Sequence, residues 1–267
     1  MRSTLRSEGV SHGLPHELRH ALSTVARVPR LLVAADFDGT LAPIVDRPDD
    51  ARPLPDSTAA LSALAGLPST TAALISGRAL RDLATLSGTP AGVHLVGSHG
   101  AEFDTGFVHP ISDAAMDHLD MIINALTGIA ADYAGATIER KPASVALHVR
   151  NAAPNDAQAA LDRARSAARS WNAHLTEGKA VVEFAIITPD KGRALDDLRR
   201  RDDASAVVFL GDDVTDENAF RRLQDPDIGI KVGEGDTLAQ YRVKSPDDVA
   251  AALAYLLDER RTWLRNT

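Results

Sequence analysis

Apolar residues fall along this chain in short runs that end abruptly in acidic or small polar residues. The first, Leu31-Leu32-Val33-Ala34-Ala35, is uninterrupted and gives way at once to Asp36-Phe37-Asp38-Gly39. A run without polar alternation reads as a strand buried on both faces, here ending at a polar site. Thr71-Ala72-Ala73-Leu74-Ile75 repeats the pattern before Ser76-Gly77-Arg78, and His94-Leu95-Val96-Gly97 is a third instance. The fourth, Ala206-Val207-Val208-Phe209-Leu210, ends in Gly211-Asp212-Asp213. Between them, Leu61, Leu64 and Leu67 recur at helical spacing over 57–67, and helices are also expected over 79–87 and 192–200. Such alternation argues for an α/β fold: a Rossmann-like parallel sheet with helices on both faces and its active site at the carboxyl ends of the strands.

Two stretches interrupt the rhythm. The four prolines and several aspartates of 42–55 predict a loop or small flap. The middle of the chain predicts a helix over 112–132, an alternating strand at Val145–Val149, a helix over 155–171 and a strand at Ala180–Phe184. No acidic cluster ends these strands, which suggests an inserted, smaller α/β domain at 107–186. The core would then be discontinuous, built from 31–106 and 187–267. Residues 1–30 are read as an N-terminal extension carrying a short surface helix, since Leu14, Leu18 and Leu22 share a helical spacing.

Composition narrows the function. The 267 residues are 44% hydrophobic and 25% charged, the balance of a soluble globular protein. A net charge of -8 lacks the basic field of a general nucleic-acid binder, so small-molecule chemistry is expected. The absence of cysteine excludes a disulfide framework, a thiolate zinc site and a cysteine nucleophile. No apolar run approaches the roughly 20 residues that span a bilayer, and no signal-peptide stretch follows Met1, so a cytoplasmic protein is expected.

Asp36 and Asp38 stand at a buried strand end, where desolvated carboxylates need a cation or hydrogen-bond donors. Magnesium, which takes oxygen ligands and one or two protein carboxylates, fits that need, and Asp212 or Asp213 from another strand end would complete the site. One acidic turn after a strand needs no chemistry to explain it. Two such clusters, with Ser76 and Lys191 available to hold phosphoryl oxygens, assemble what phosphoryl transfer requires. Ser76 offers a hydroxyl and backbone donors near a helix start.

Asp36-Phe37-Asp38-Gly39-Thr40-Leu41, Ser76-Gly77-Arg78, Lys191 and Gly211-Asp212-Asp213 resemble, in order, the four motifs of the haloacid dehalogenase superfamily. The resemblance implies that Asp36 attacks phosphorus and that Asp38 protonates the leaving oxygen and then activates water. It also implies magnesium held by the Asp36 carboxylate, the Asp38 carbonyl and Asp212, with Asp213 in support or as a further ligand. A narrower resemblance, over about 31–255, is to trehalose-6-phosphate phosphatases. It rests on Gly97-Ser98-His99-Gly100-Ala101-Glu102, Glu139-Arg140-Lys141, Ala146-Leu147-His148-Val149-Arg150, Gly178-Lys179 with Glu183, and Gly211-Asp212-Asp213-Val214-Thr215-Asp216-Glu217. It implies that the insert is a substrate-selecting cap whose Glu139, Lys141, Arg150, Lys179 and Glu183 face a sugar phosphate, with a functional link to trehalose-6-phosphate synthase. Other sugar-phosphate phosphatases of the superfamily, acting on sucrose phosphate or mannosyl-phosphoglycerate, share the core motifs, and a catalytically silent regulatory subunit is a third reading. Lys141 and Glu183 read equally well as ladder residues pairing across a sheet. His99 is expected to hold a loop, and Arg78 to pair with a nearby acid or cap a helix. The arginine expected shortly after Glu183 is absent from Phe184-Ala185-Ile186-Ile187-Thr188-Pro189.

Overall fold

The computed structural model describes residues 13–103, 106–107, 112–178, 180–186 and 190–266. Its larger sheet contains β1 (Leu31–Ala35), β2 (Thr70–Ile75), β3 (Val93–Gly97), β4 (Glu102–Phe103), β5 (Gly106–Phe107), β10 (Ala206–Gly211), β11 (Ile228–Val232) and β12 (Tyr241–Val243). The spatial order is β12-β11-β10-β1-β2-β3-β4-β5. Pairings from β12 to β3 are parallel, and only the β3-β4 and β4-β5 pairs are antiparallel. Val33 lies opposite both Val208 and Ala72, so β1 is central and flanked by the two strands whose ends carry the other polar motifs.

The unbroken apolar run of β1 has a direct cause. Leu31, Val33 and Ala35 face one core, shared with α1 (His16–Val25), α2 (Pro55–Ala65) and α8 (Pro246–Arg265). Leu32 and Ala34 face the opposite core, shared with α6 (Lys191–Arg201) and α7 (Glu217–Phe220). Both sides of the pleat are covered, and no position is left for a polar residue. Helix α3 (Leu80–Ser87) follows β2 and packs into the first core through Leu83. The leucine-spaced helix of the N-terminal segment is α1, but its Leu18, Leu22 and Val25 are buried in the first core. From residue 16 onward this segment therefore covers the sheet; it is not an appendage to it.

A second sheet of four antiparallel strands, in the order β6-β7-β9-β8, lies within the segment read as the insert. Its strands are β6 (Thr137–Lys141), β7 (Ser144–His148), β8 (His174–Gly178) and β9 (Val181–Ala185), with α4 (Asp113–Ala131) and α5 (Pro154–Ala168) against one face. Val145, Leu147, Val182 and Phe184 pack on those helices, and the Trp171 ring meets Phe184 edge-on at 5.1 Å. By the period of two, Glu139, Lys141, Ser144, His148 and Glu183 share the opposite face, with Ala146 between Glu139 and Glu183. Strands β8, β11 and β12 and helix α8 were not among the elements read from the sequence. No described helix is long and apolar enough to cross a membrane.

Candidate active site

Strands β1, β2 and β10 end side by side, and their last residues deliver three polar clusters to one place. Asp36 follows β1 directly and extends the ladder by one bond, its N–H donating to the Leu210 carbonyl at 2.9 Å. The chain then turns sharply at Gly39, whose φ is +78°. A Cβ there would sit 2.0 Å from Asp212 Oδ2, so the close approach of the two motifs requires glycine at this position.

Lys191 is the first residue of α6, which is capped by the Asp190 carboxylate accepting from Gly192 N at 2.9 Å and Arg193 N at 3.2 Å. This places the ammonium between two acids: Nζ donates to Asp36 Oδ1 and to Asp216 Oδ1, each at 2.7 Å. All three residues are buried, with 4% of Asp36, 2% of Lys191 and none of Asp216 exposed. Asp216 Oδ2 accepts from Asp212 N at 3.0 Å and Asp213 N at 2.9 Å, so both of its oxygens are engaged. Carboxylate oxygens of Asp36, Asp212 and Asp216 lie within 4.8 Å of one another. The Thr40 hydroxyl donates to Asp212 Oδ1 at 3.4 Å.

The electrostatics follow from three acids and one ammonium sharing a desolvated space. Burial pushes the Asp36 carboxyl well above its usual range; Lys191 opposes the rise, and the neighbouring Asp216 and Asp212 add to it. Asp212 is pushed up to about 6, again by burial first and Asp216 second. Burial alone would lower the Lys191 ammonium, but Asp216 and Asp36 outweigh it and hold the group above its ordinary value. With every group ionised the cluster carries an excess of negative charge, a state that suits a hard cation.

The Asp213 side chain stands apart from the acid cluster. Asp213 is exposed and opens the turn Val214–Asp216, its carbonyl accepting from Asp216 N at 3.1 Å, and its carboxylate lies outside the cluster. Among the described residues, the third acid of the cluster is Asp216. Asp216 is the third residue of the short turn that Asp213 caps, and its carboxylate reaches back to the cap N–H; this capping-box spacing could have pointed to Asp216 from sequence. The Asp38 carboxylate, expected to act as acid and base while the Asp38 carbonyl serves the metal, also lies outside the cluster. Arg78 grips it through Nε to Oδ2 at 2.7 Å and Nη2 to Oδ1 at 2.6 Å, which decides between the two roles open to Arg78.

Ser76 is buried beside them, and its Oγ accepts from Arg78 N at 3.2 Å, which leaves the hydroxyl proton for another acceptor. Two backbone donors near it are taken: Ser76 N donates to the Val96 carbonyl at 2.9 Å, and Leu80 N, at the start of α3, donates to Glu102 Oε2 at 2.7 Å. Glu102 also accepts from Ser98 Oγ at 3.0 Å and so fixes the turn that carries His99.

His99 holds the loop through its main chain. Its N–H donates to the Ser76 carbonyl at 2.9 Å, and its own carbonyl accepts from Asp190 N at 3.0 Å, joining the ends of β2 and β3 to the start of α6. Its ring lies against Gly77, where a Cβ would come within 2.4 Å of Cε1. Burial, and then the Lys191 charge, push the imidazole down to about 4. The ring is neutral in the folded protein at pH 7, whereas in the unfolded chain it protonates below about 6.5. Lowering the pH from 7 to 4 therefore favours unfolding through this group. The wild type should lose up to about 3 kcal/mol more stability over that interval than His99→Asn, in which the shifted carboxyls still titrate. Urea unfolding at the two pH values measures this, and equal losses would reject it.

The polar face of the four-stranded sheet adds further charged groups. Lys141 Nζ donates to Glu183 Oε2 at 2.7 Å, and Ser144 Oγ donates to Glu183 Oε1 at 2.6 Å. His148 Nε2 lies 2.8 Å from Glu139 Oε2, and this hydrogen bond is the main cause of the lowered Glu139 pKa. Arg150 reaches across to the Asp46 carbonyl in the 42–55 loop. The charges of Glu183 and Lys141 act on His99, and that of Arg78 acts on Glu139, so the polar face looks toward the acid cluster. Lys179 lies outside the described residues.

Known proteins resemble this chain over most of its length. A trehalose-phosphatase family model matches residues 34–247. The trehalose-phosphate phosphatase of Mycobacterium ulcerans is 35% identical over 266 residues, covering 92% of this chain and 67% of the relative. That of Mycobacterium marinum is 34% identical, with coverages of 92% and 67%. The chain thus spans about two thirds of the length of these relatives. Among solved structures, the C-terminal domain of Candida albicans trehalose-6-phosphate phosphatase superposes with a TM-score of 0.75 at 23% identity, covering 90% of this chain and 96% of that one, a likeness of fold. The family match takes in the acid cluster, Lys191, Arg78 and the polar sheet face together, and the chain belongs to the trehalose-phosphatase family.

Proposed function

We propose that the chain hydrolyses trehalose 6-phosphate to trehalose and phosphate through an aspartyl-phosphate on Asp36. The observation that carries this reading is the buried Asp36–Lys191 pair at the end of β1, opposite the polar face that bears Lys141 and Glu183. One Asp36 oxygen is held by Lys191 at 2.7 Å, which orients the other for attack on phosphorus. Asp38 gives a proton to the departing sugar oxygen and then takes one from the water that cleaves the intermediate. The Ser76 hydroxyl and the Lys191 ammonium hold the phosphoryl oxygens. Asp216 already spends three of its roughly four acceptor sites on Lys191 and the Asp212 and Asp213 N–H groups, so Asp36 and Asp212, with the Asp38 carbonyl, are the groups that would hold a magnesium ion. Magnesium would supply positive charge against the phosphoryl oxygens.

The four-stranded sheet acts as the cap in this reading. Glu139, Lys141, Arg150, Lys179 and Glu183 bind the disaccharide, carboxylates accepting from its hydroxyls and cations donating to its oxygens. Its closure excludes bulk water from the intermediate. The substrate requires a preceding glycosyl transfer onto a hexose phosphate, the reaction of trehalose-6-phosphate synthase. A panel of sugar phosphates assayed with magnesium tests the assignment. Trehalose 6-phosphate should exceed glucose 6-phosphate, sucrose phosphate and mannosyl-phosphoglycerate by about 100-fold or more in kcat/KM, because a site built for hydroxyl groups rejects ligands that leave its polar groups unpaired. Comparable turnover of several hexose monophosphates would overturn the substrate assignment.

A further inference from the structure

Arg78 is fixed from several directions. Its guanidinium holds both Asp38 oxygens at 2.6 and 2.7 Å, and Nη2 also donates to the Pro48 carbonyl of the 42–55 loop at 2.8 Å. The group lies 5.6 Å over the Phe37 ring, and the Arg78 N–H rests on Ser76 Oγ. Only 14% of the Arg78 side chain and 35% of the Asp38 side chain are exposed. Two parallel bonds from a planar fork set the orientation of a carboxylate as well as its position. An ionised carboxylate has about four acceptor sites, and the fork uses two. Each Asp38 oxygen therefore keeps a lone pair, so the group is immobilised yet open to receive a proton.

We propose that Arg78 is a positioning residue for the second half of the reaction, holding Asp38 as the base that activates water. The inference rests on the reading of Asp38 as the acid and base of phosphoryl transfer. In this step a water proton passes to a free Asp38 lone pair as the water oxygen bonds to phosphorus. The bond between phosphorus and the Asp36 oxygen breaks with its electron pair, and the Asp36 carboxylate and inorganic phosphate are restored. Arg78 touches neither the attacking water nor phosphorus; it sets where the Asp38 lone pair points. The first half is less dependent on Arg78 when the leaving group departs without a proton.

p-Nitrophenyl phosphate, whose leaving group needs no proton, separates the two halves. In stopped-flow mixing with magnesium, Arg78→Ala should release p-nitrophenolate in a burst approaching one per enzyme, followed by steady turnover about 10- to 100-fold below the wild type. Arg78→Lys, which keeps the charge but not the fork, should fall between them, and added guanidinium should restore part of the Arg78→Ala rate. Asp38→Asn serves as the reference and should also give a burst. If Asp38→Asn bursts and neither Arg78 variant does, the positioning role is overturned. A raised KM without a burst in Arg78→Lys overturns it in favour of direct phosphate binding. If Asp38→Asn gives no burst, the base assignment itself fails and the proposal with it.

Discussion

Asp36→Asn is expected to lower phosphate release by about 10⁴-fold or more while the protein remains folded. The nucleophile is the one group in the site for which nothing nearby can substitute. Both Asp216 oxygens are already engaged, and Asp212 lies across the Gly39 turn, held at its main chain by Asp216. The same change removes one of the two buried acids that share the Lys191 ammonium, beside the half-buried Asp212. An asparagine oxygen can still accept from Lys191 without adding charge, so the melting temperature of the metal-free variant should equal or exceed that of the wild type. Added magnesium should stabilise the wild type more than the variant, since a ligand stabilises the form that binds it more tightly. A phosphate-release assay paired with calorimetry gives both readings. Substantial residual turnover would remove Asp36 as the nucleophile, and a sharply lowered melting temperature would mean that the charge is part of the fold.

The largest stability effect is expected far from that site, at Arg260. This side chain is fully buried in α8. It donates to the carbonyls of Ala26 at 3.0 Å, Pro29 at 3.3 Å and Ser69 at 2.8 Å, to the Val28 carbonyl, and to Thr70 Oγ1 at 3.1 Å. Its guanidinium also lies 4.7 Å over the Trp263 ring. These acceptors belong to the segment leading into β1 and to the start of β2, the two strands whose far ends carry Asp36 and Ser76. Arg260→Ala leaves several buried acceptors unpaired at roughly 1–3 kcal/mol each. Partial relaxation brings the expected loss to about 3–5 kcal/mol. Arg260→Lys should recover little, because one ammonium cannot reproduce a planar set of donors. Urea unfolding of both variants measures the effect; a loss under about 1 kcal/mol for Arg260→Ala would show that water replaces the network.

Arg260 also marks the limit of what the sequence reveals. It stands in Asp258-Glu259-Arg260-Arg261, a charge run that reads as a solvated helix face, and its carbonyl partners carry no residue-type signature. The central strands were legible because burial on both faces leaves an uninterrupted apolar run, and β1, β2 and β10 all show one. The edge strand β12 and the half-exposed β8 bury too little to show such a pattern. Asp36, Ser76, Lys191 and Asp212 were legible because each follows a strand or begins a helix. The pairings of Asp216 with Lys191 and of Arg78 with Asp38 join distant segments, and residue type alone does not state who meets whom. The polar residues of the four-stranded sheet form the reverse case. Lys141 and Glu183 do pair with one another, as the ladder reading allowed, yet they do so on the face turned toward the acid cluster.

The Asp190 clamp at the start of α6 bears on how such an enzyme diversifies. The chain returning from the four-stranded sheet is caught there by the His99 carbonyl and by its own helix cap, one residue before Lys191. The intervening segment is thus delivered to a fixed anchorage whatever its length or architecture. Over evolutionary time an insert can be reshaped, enlarged or exchanged as a cassette while the lysine stays in register with its carboxylates. With the insert as the proposed cap, selectivity and bond cleavage are then inherited as separable traits, free to drift at different rates.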